Sequence, residues 1–281
     1  MNFKPDKTWS NNRVQQPRRP HIVHACNLNR GAVLTASFPW YDLPSVRWAN
    51  DALWRATGLP GELNRSRPAC DHWLSPDLVI SQACGLDLFL SDAPIEPVLV
   101  PILDLDCEPG HYYSYLIGTA TPSVAAVNSL TSRSGLSALL GVTQPESLLV
   151  TGSHRASIEA VRRGSADCAC IDAVTWHILE RDEPDEVAGI SIIDRTSAAP
   201  APPFVIRESG LRFAVNALVS AMAKPETYAA RRALLMRGVK PTSKEAYASV
   251  HLEYQAIVDK ICVDINTHCV NMARYGHDPE S

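Results

Sequence analysis

No run of apolar residues in this chain is long enough to cross a bilayer. The longer stretches, such as the one that starts at Val98, are short and broken by Pro101. Direct membrane insertion is therefore not expected. Positive charge is not in excess either. Twenty-six Lys and Arg face 30 Asp and Glu, for a net charge of −4, and this excludes the basic surface of a nucleic-acid binder. Residues 1–20 contain no apolar core and no small-residue cleavage site, so no secretory signal is expected there. They read as a polar arm. Either a cytoplasmic protein or a chain without its leader fits that reading. The cysteines at 26, 70, 84, 107, 168, 170, 262 and 269 form no C-x-x-C pair and match no zinc spacing. Free buried thiols are expected, and Cys168 and Cys170 should face one side of a strand. A G-x-S-x-G elbow, a P-loop and an H-E-x-x-H pair are all missing. No cofactor and no metal are expected.

What is present is alternation. Short strands are predicted at 21–25, 32–37, 78–81, 95–103, 112–118, 124–127, 148–151, 166–171, 190–193 and 204–206. The strand at 95–103 carries prolines, so it should be an edge strand or a bent one. Helical spacing follows from Ser45, where Val46, Ala49, Leu53 and Ala56 repeat at threes and fours and Gly58 closes the pattern. Further helices are predicted from Ser132, over 156–163 and 174–180, over 211–222, and from Lys244 to about Asn271. Strands that alternate with helices imply an α/β fold with mostly parallel sheets. Crossings near Pro109-Gly110 and near 199–203 bracket a middle block of roughly 90 residues. The simplest architecture has an arm at 1–21, a first lobe at 22–111 plus 204–281, and a second lobe at 112–203. Ligands in such folds bind at strand carboxyl ends, here in the cleft between the lobes.

Polar residues gather at those ends. Asn128-Ser129-Leu130-Thr131-Ser132-Arg133-Ser134-Gly135 follows a buried strand and opens a helix. Its unpaired N–H groups, with the Ser132 and Ser134 hydroxyls, suit an oxyanion. A plain N-cap is the alternative. In TGSHRASIEAVRRGSADCACIDAVTW, His154 and Ser157 stand at one helix start, and Asp172 at the end of the following strand. The alternative there makes Ser153 and Asp172 caps and His154 a surface residue. Tyr41 and Asp42, and then Gln82, Cys84 and Gly85, lie on loops where a first lobe would face the cleft. Cys84 and His154 would form a thiolate–imidazolium pair if they met.

Taken together, these segments resemble one family. Pro39-Trp40-Tyr41-Asp42-Leu43-Pro44 is similar to its M-Y-D-L-P segment, and Ser81-Gln82-Ala83-Cys84-Gly85 to its S-Q-x-C-G. Ser132-Arg133-Ser134-Gly135 resembles its S-x-S-G loop. Gly152-Ser153-His154 through Ser157, Gly164, Ala166-Asp167 and Ile171-Asp172 follow its G-S-H-x-x-S…G-x-A-D…I-D run. Pro202-Pro203-Phe204 is similar to its return segment. The family is that of the phosphate/phosphonate-binding proteins of ABC-type importers, and the likeness spans about residues 22 to 207. It implies a two-lobed type 2 periplasmic fold that closes on a small anionic ligand, with the membrane subunit of an importer as partner and a periplasmic location. It also implies that Ser132, Ser134 and Gly135 hold the phosphonate, with Arg133 at the variable position. His154 and Asp172 would then line the ligand's other end, where a carboxylate suits an amine, and Tyr41 would match a first-lobe tyrosine. The chain departs from the family at Cys84-Gly85-Leu86, where relatives often carry C-G-Y. It also departs in its tail after about Pro225, which reads as a partner-binding or dimerising helix pair. A solute receptor is the expected function. An enzyme using His154 with Cys84 or Asp172, and a cytoplasmic ligand sensor, are the alternatives.

Overall fold

The computed structural model describes residues 34–207 and 211–265, with side chains up to 259. These lie in one compact unit, Val33–Ser281. The other unit, Met1–Ala32, falls outside the described residues, and so do the strand expected at 21–25, the polar arm, Cys26, and the tail past 265 with Cys269.

Strand β1 (Thr35–Ala36) leads by a turn into α1 (Arg47–Ala56). This helix buries Ala49, Leu53 and Trp54, and Gly58 stops it in the left-handed region at φ +72°. Next come α2 (Ala69–Leu74), β2 (Leu78–Gln82), α3 (Asp87–Leu90) and the long β3 (Ile95–Leu103). The chain then crosses through β4 (His111–Tyr112) into β5 (Ser114–Gly118) and β6 (Val124–Val127). A π-turn, Arg133–Ser137, runs into α4 (Ala138–Leu140). The alternation continues with β7 (Ser147–Val150), α5 (His154–Arg162), β8 (Cys168–Asp172), α6 (Ala173–Asp182) and β9 (Ile192–Arg195). The return goes through β10 (Ala199–Pro200) and β11 (Phe204–Arg207) to α7 (Arg212–Ala223), α8 (Tyr228–Ala233), β12 (Met236–Pro241) and α9 (Ala248–Ile265).

The strands form two five-stranded sheets, ordered β1-β2-β11-β3-β12 and β7-β6-β8-β5-β9. Between them β4 and β10 pair antiparallel, Tyr112 against Ala199, so the two crossings run side by side. One hydrophobic cluster takes in Phe38, Leu53 and Phe204 beside the first sheet and Ile117, Ala126 and Ile171 in the second.

Three expectations need correction. The sheets are mixed rather than mostly parallel. Among the described strands, β1–β2, β6–β7 and β6–β8 pair in parallel, while β11 and β5 run against their neighbours. A strand that carries the chain between lobes enters each sheet from the far side, and so points the other way. Second, β3 is not an edge strand, because β11 and β12 flank it. Pro97 stands at a register shift in β11, opposite Val205, while Pro101 pairs in regular register with Val239 of β12. Third, the tail is not a free helix pair. Strand β12 completes the first sheet and α8 packs on α1. The sequence reading also missed the short helix α2.

Gly118 closes β5 at φ +97°, where a Cβ would stand 2.1 Å from the Asp167 carbonyl oxygen. Gly118→Ala should therefore cost about 2 kcal/mol or more. A urea midpoint equal to that of the parent would refute this.

Candidate functional site

Three helix starts meet at the carboxyl ends of the second sheet, and each is capped by its own side chain. Ser132 Oγ accepts from the Gly135 N–H at 2.9 Å. Ser153 Oγ accepts from Ala156 N at 3.1 Å, and Asp172 Oδ1 from Val174 N at 2.7 Å. The first start is wound wide, with Ser137 N bonded to Ser132 O at 3.1 Å. A Cβ at 135 would lie 2.0 Å from Asn128 Oδ1, so a larger residue there would have to displace that side chain.

This packing brings several of the expected residues together. Ser134 Oγ lies 2.9 Å from His154 Nε2 and 3.4 Å from Ser132 Oγ. The Ser134 carbonyl accepts from Ser114 Oγ at 2.8 Å. His154 is buried, so the surface alternative for it is overturned. Burial pushes its pKa below the ordinary value, against the pull of the Asp172 charge and the Cys170 backbone. From the first lobe, Tyr41 Oη donates to Asp172 Oδ2 at 3.0 Å. Asp172 is therefore both a helix cap and a bridge between the lobes.

Tyr41 holds an uncommon left-handed backbone, φ +61°. Gln82 Oε1 accepts from Trp40 N at 3.0 Å, so Gln82 props this turn. Asp42 fastens the turn's other side through Asn50 Nδ2 at 3.0 Å and Arg65 Nη2 at 2.9 Å. Ser157 is tied to Thr151 Oγ1 at 2.7 Å, behind His154. Arg133 is only 4% exposed. Its Nη2 donates to Ser197 O at 3.2 Å and lies 3.9 Å from Glu253 in α9, while Nε and Nη1 have no partner among the described residues. Sequence reasoning missed Tyr112, which is buried and hydrogen-bonded to the Ser134 side chain. It also missed Ser114, Asn50 and Arg65. Tyr112 sits in a strand at the crossing, where nothing in the local pattern separates it from a core residue.

The model of the family of periplasmic substrate-binding proteins of ABC phosphonate transporters matches residues 123–247. The resemblance to the phosphonate-binding family is borne out. Solved structures agree in fold. A binding-protein component of an ABC phosphonate transporter from Pseudomonas aeruginosa aligns with a TM-score of 0.66 at 15% identity, over 86% of this chain and 90% of that one. PhnD1 from Prochlorococcus marinus, in complex with methylphosphonate, aligns at 0.63 and 12% identity, over 81% and 98%. No curated protein matches the chain in sequence. The two-lobed type 2 fold is thereby established. The phosphonate-binding match runs on to Tyr247 and includes β12. The tail to that point thus follows the family pattern that the sequence reading failed to find in it.

A substrate-binding protein, and not an enzyme, is what this family contains. The electrostatics agree. A thiolate–imidazolium pair needs a depressed cysteine and a raised histidine. Here burial, reinforced by Asp87, pushes Cys84 up to about 12, while His154 is pushed down. Cys70, Cys84, Cys107, Cys168 and Cys170 are free, though Cys70 and Cys107 are only half-buried. Among the described residues no cluster of His, Cys, Asp or Glu suits a metal ion, and no helix is long and apolar enough to cross a membrane.

Tyr41→Phe leaves the turn intact but deletes the hydrogen bond to a buried carboxylate. It should lower stability by about 2 kcal/mol and enlarge the radius of gyration as the lobes part. Small-angle scattering and thermal unfolding would show both, and identical values for variant and parent would contradict the latch. A second expectation concerns pH. The unfolded chain takes up a proton on residue 154 near the ordinary value of 6.5, and the folded chain does so only at lower pH. Stability is therefore complete above that value and is lost as pH falls through it. The slope of Tm between pH 7 and pH 5 should shrink in His154→Gln. Buried His72, shifted the same way, would supply what remains.

Proposed function

We propose that the chain is the solute-binding protein of an ABC-type importer, and that it closes two lobes on a small phosphorus oxyanion and presents it to the membrane subunit. The observation that carries this is the buried Arg133. Its guanidinium lies at the lobe boundary with two nitrogens unsatisfied among the described residues, on the turn that also bears the Ser132 and Ser134 hydroxyls. A buried cation at a helix start, paired among the described residues only at long range with the exposed Glu253, favours an anion at its two unpaired nitrogens. Ser132, Arg133, Ser134 and Gly135 would hold the oxyanion, His154 would pack against Ser134, and Tyr41 would close the site from the first lobe. Gln82 would act through the Tyr41 turn, and Ser157 through the position of α5.

The state of Asp172 narrows the ligand. One of its oxygens caps α6 and the other accepts from Tyr41. A ligand amine would have to displace the tyrosine to reach it. The site therefore favours a phosphonate with an uncharged tail, such as methylphosphonate, over aminoethylphosphonate. A sensor that signals through α9 is the second reading. It is supported by the packing of α9 against the π-turn and by the approach of Glu253 to Arg133.

Thermal unfolding with phosphate, phosphite, methylphosphonate, aminoethylphosphonate and a sulfonate tests the proposal. A ligand at about 100 times its Kd stabilises by about 2.7 kcal/mol, or roughly 5–10 °C at this size. The expected shift is largest for methylphosphonate and absent in Ser134→Ala. A flat response to the whole panel would sink the phosphorus-oxyanion reading. A larger shift for aminoethylphosphonate would show that Asp172 opens to an amine.

A further inference from the structure

A cavity of about 600 Å3 lies between α6 of the second lobe and α8 with β12 of the first. Arg181 enters it from α6, and Tyr228, Arg231, Arg232 and Arg237 enter from the other side. Four arginines around one cavity are unexpected in a chain with net charge −4. Arg181 pairs with Asp182, and Arg237 with Asp104. Arg231 and Arg232 have no carboxylate partner among the described residues. Each guanidinium carbon stands 5.9 Å from the centre of the Tyr228 ring, which holds both cations beside the cavity. Asp104 also lines the cavity but is taken by Arg237, and Arg231 donates to Thr227 Oγ1 and Arg237 O, which leaves two adjacent guanidinium groups with no carboxylate of their own among the described residues. Such a pair matches an anion that carries two neighbouring charged groups.

The cavity is also tied to lobe closure. Arg181 Nη2 donates to Ala233 O at 2.9 Å, at the end of α8, so this wall exists only while the lobes are together. The same helix, α6, begins at Asp172, which Tyr41 holds from the first lobe. Arg181 lies nine positions after Asp172, about 14 Å along a helix. One rigid element thus touches the first lobe at both of its ends.

We propose that this cavity is a second anion site, separate from the cleft, which takes a diphosphate-like group and is completed by closure. Because both sites need the closed form, each ligand should tighten the other. That coupling rests on the cleft reading given above, whereas binding to the cavity does not. Isothermal titration of the full chain with inorganic pyrophosphate at low salt, with sulfate as a single-anion control, tests it. Saturable pyrophosphate binding is expected to exceed that of sulfate. It should fall at least tenfold in Arg232→Glu and in Arg231→Gln and survive in Ser134→Ala. Methylphosphonate affinity should rise about fivefold with pyrophosphate present. Pyrophosphate that does not saturate, or binds both arginine variants like the parent, overturns the site. Binding lost in Ser134→Ala assigns the anion to the cleft and also overturns it. Binding at the cavity with no change in methylphosphonate affinity overturns the link to closure.

Discussion

The hydrogen bond from Tyr41 to Asp172 is the contact on which the closed molecule depends. It joins residues 131 positions apart and lies at the mouth of the second sheet. Its acceptor is already committed to the first turn of α6, so it cannot turn aside without uncapping a helix. Its donor sits on a strained turn braced by Gln82, Asn50, Asp42 and Arg65. Both partners are held rigidly before they meet, and little side-chain entropy remains to be lost when they do. A hydrogen bond to a charged acceptor in a buried setting is then worth more than a surface contact.

Dryness sets the rest of the site's chemistry. Removing water makes the charged form of every side chain costly unless a partner compensates. His154 therefore stays neutral, and the Cys84 thiol keeps its proton. The same logic leaves Arg133 as the exception. It is buried, with Nε and Nη1 unpartnered among the described residues and Glu253 3.9 Å from Nη2, and in the proposed function a ligand anion completes its pairing. Neutral bases beside a buried cation suit the proposed holding of an anion better than nucleophilic attack.

The crossing strands connect the two halves of this local chemistry. Among the described residues, strands β4 and β10 lie side by side as the one ladder between the two five-stranded sheets, so the lobes share a narrow connection. Side-chain contacts across the boundary include Tyr41 with Asp172, Arg181 with the end of α8, and α9 on the π-turn. Such contacts can break together without unfolding either sheet, as hinge closure requires.

The sequence by itself determined the elements and the rim. Val124–Val127 is legible from its apolar run, and α1 from its spacing and Gly58. Ser132, His154 and Asp172 each follow a strand, so their clustering at one sheet end was implied by topology. Tertiary structure alone decided the pairing. Which strands run antiparallel depends on where the chain crosses between lobes. Pro97 and Pro101 looked like marks of an edge, yet β11 and β12 flank the strand, with a register shift in β11 at Pro97. Strand β12, with Gly238 and Pro241 in a short stretch, has no local pattern to announce it and exists because β3 offers it an edge. Tyr112, Ser114 and Asn50 carry no signal either. Their roles are set by contacts with residues far along the chain, and period and spacing report only on near neighbours.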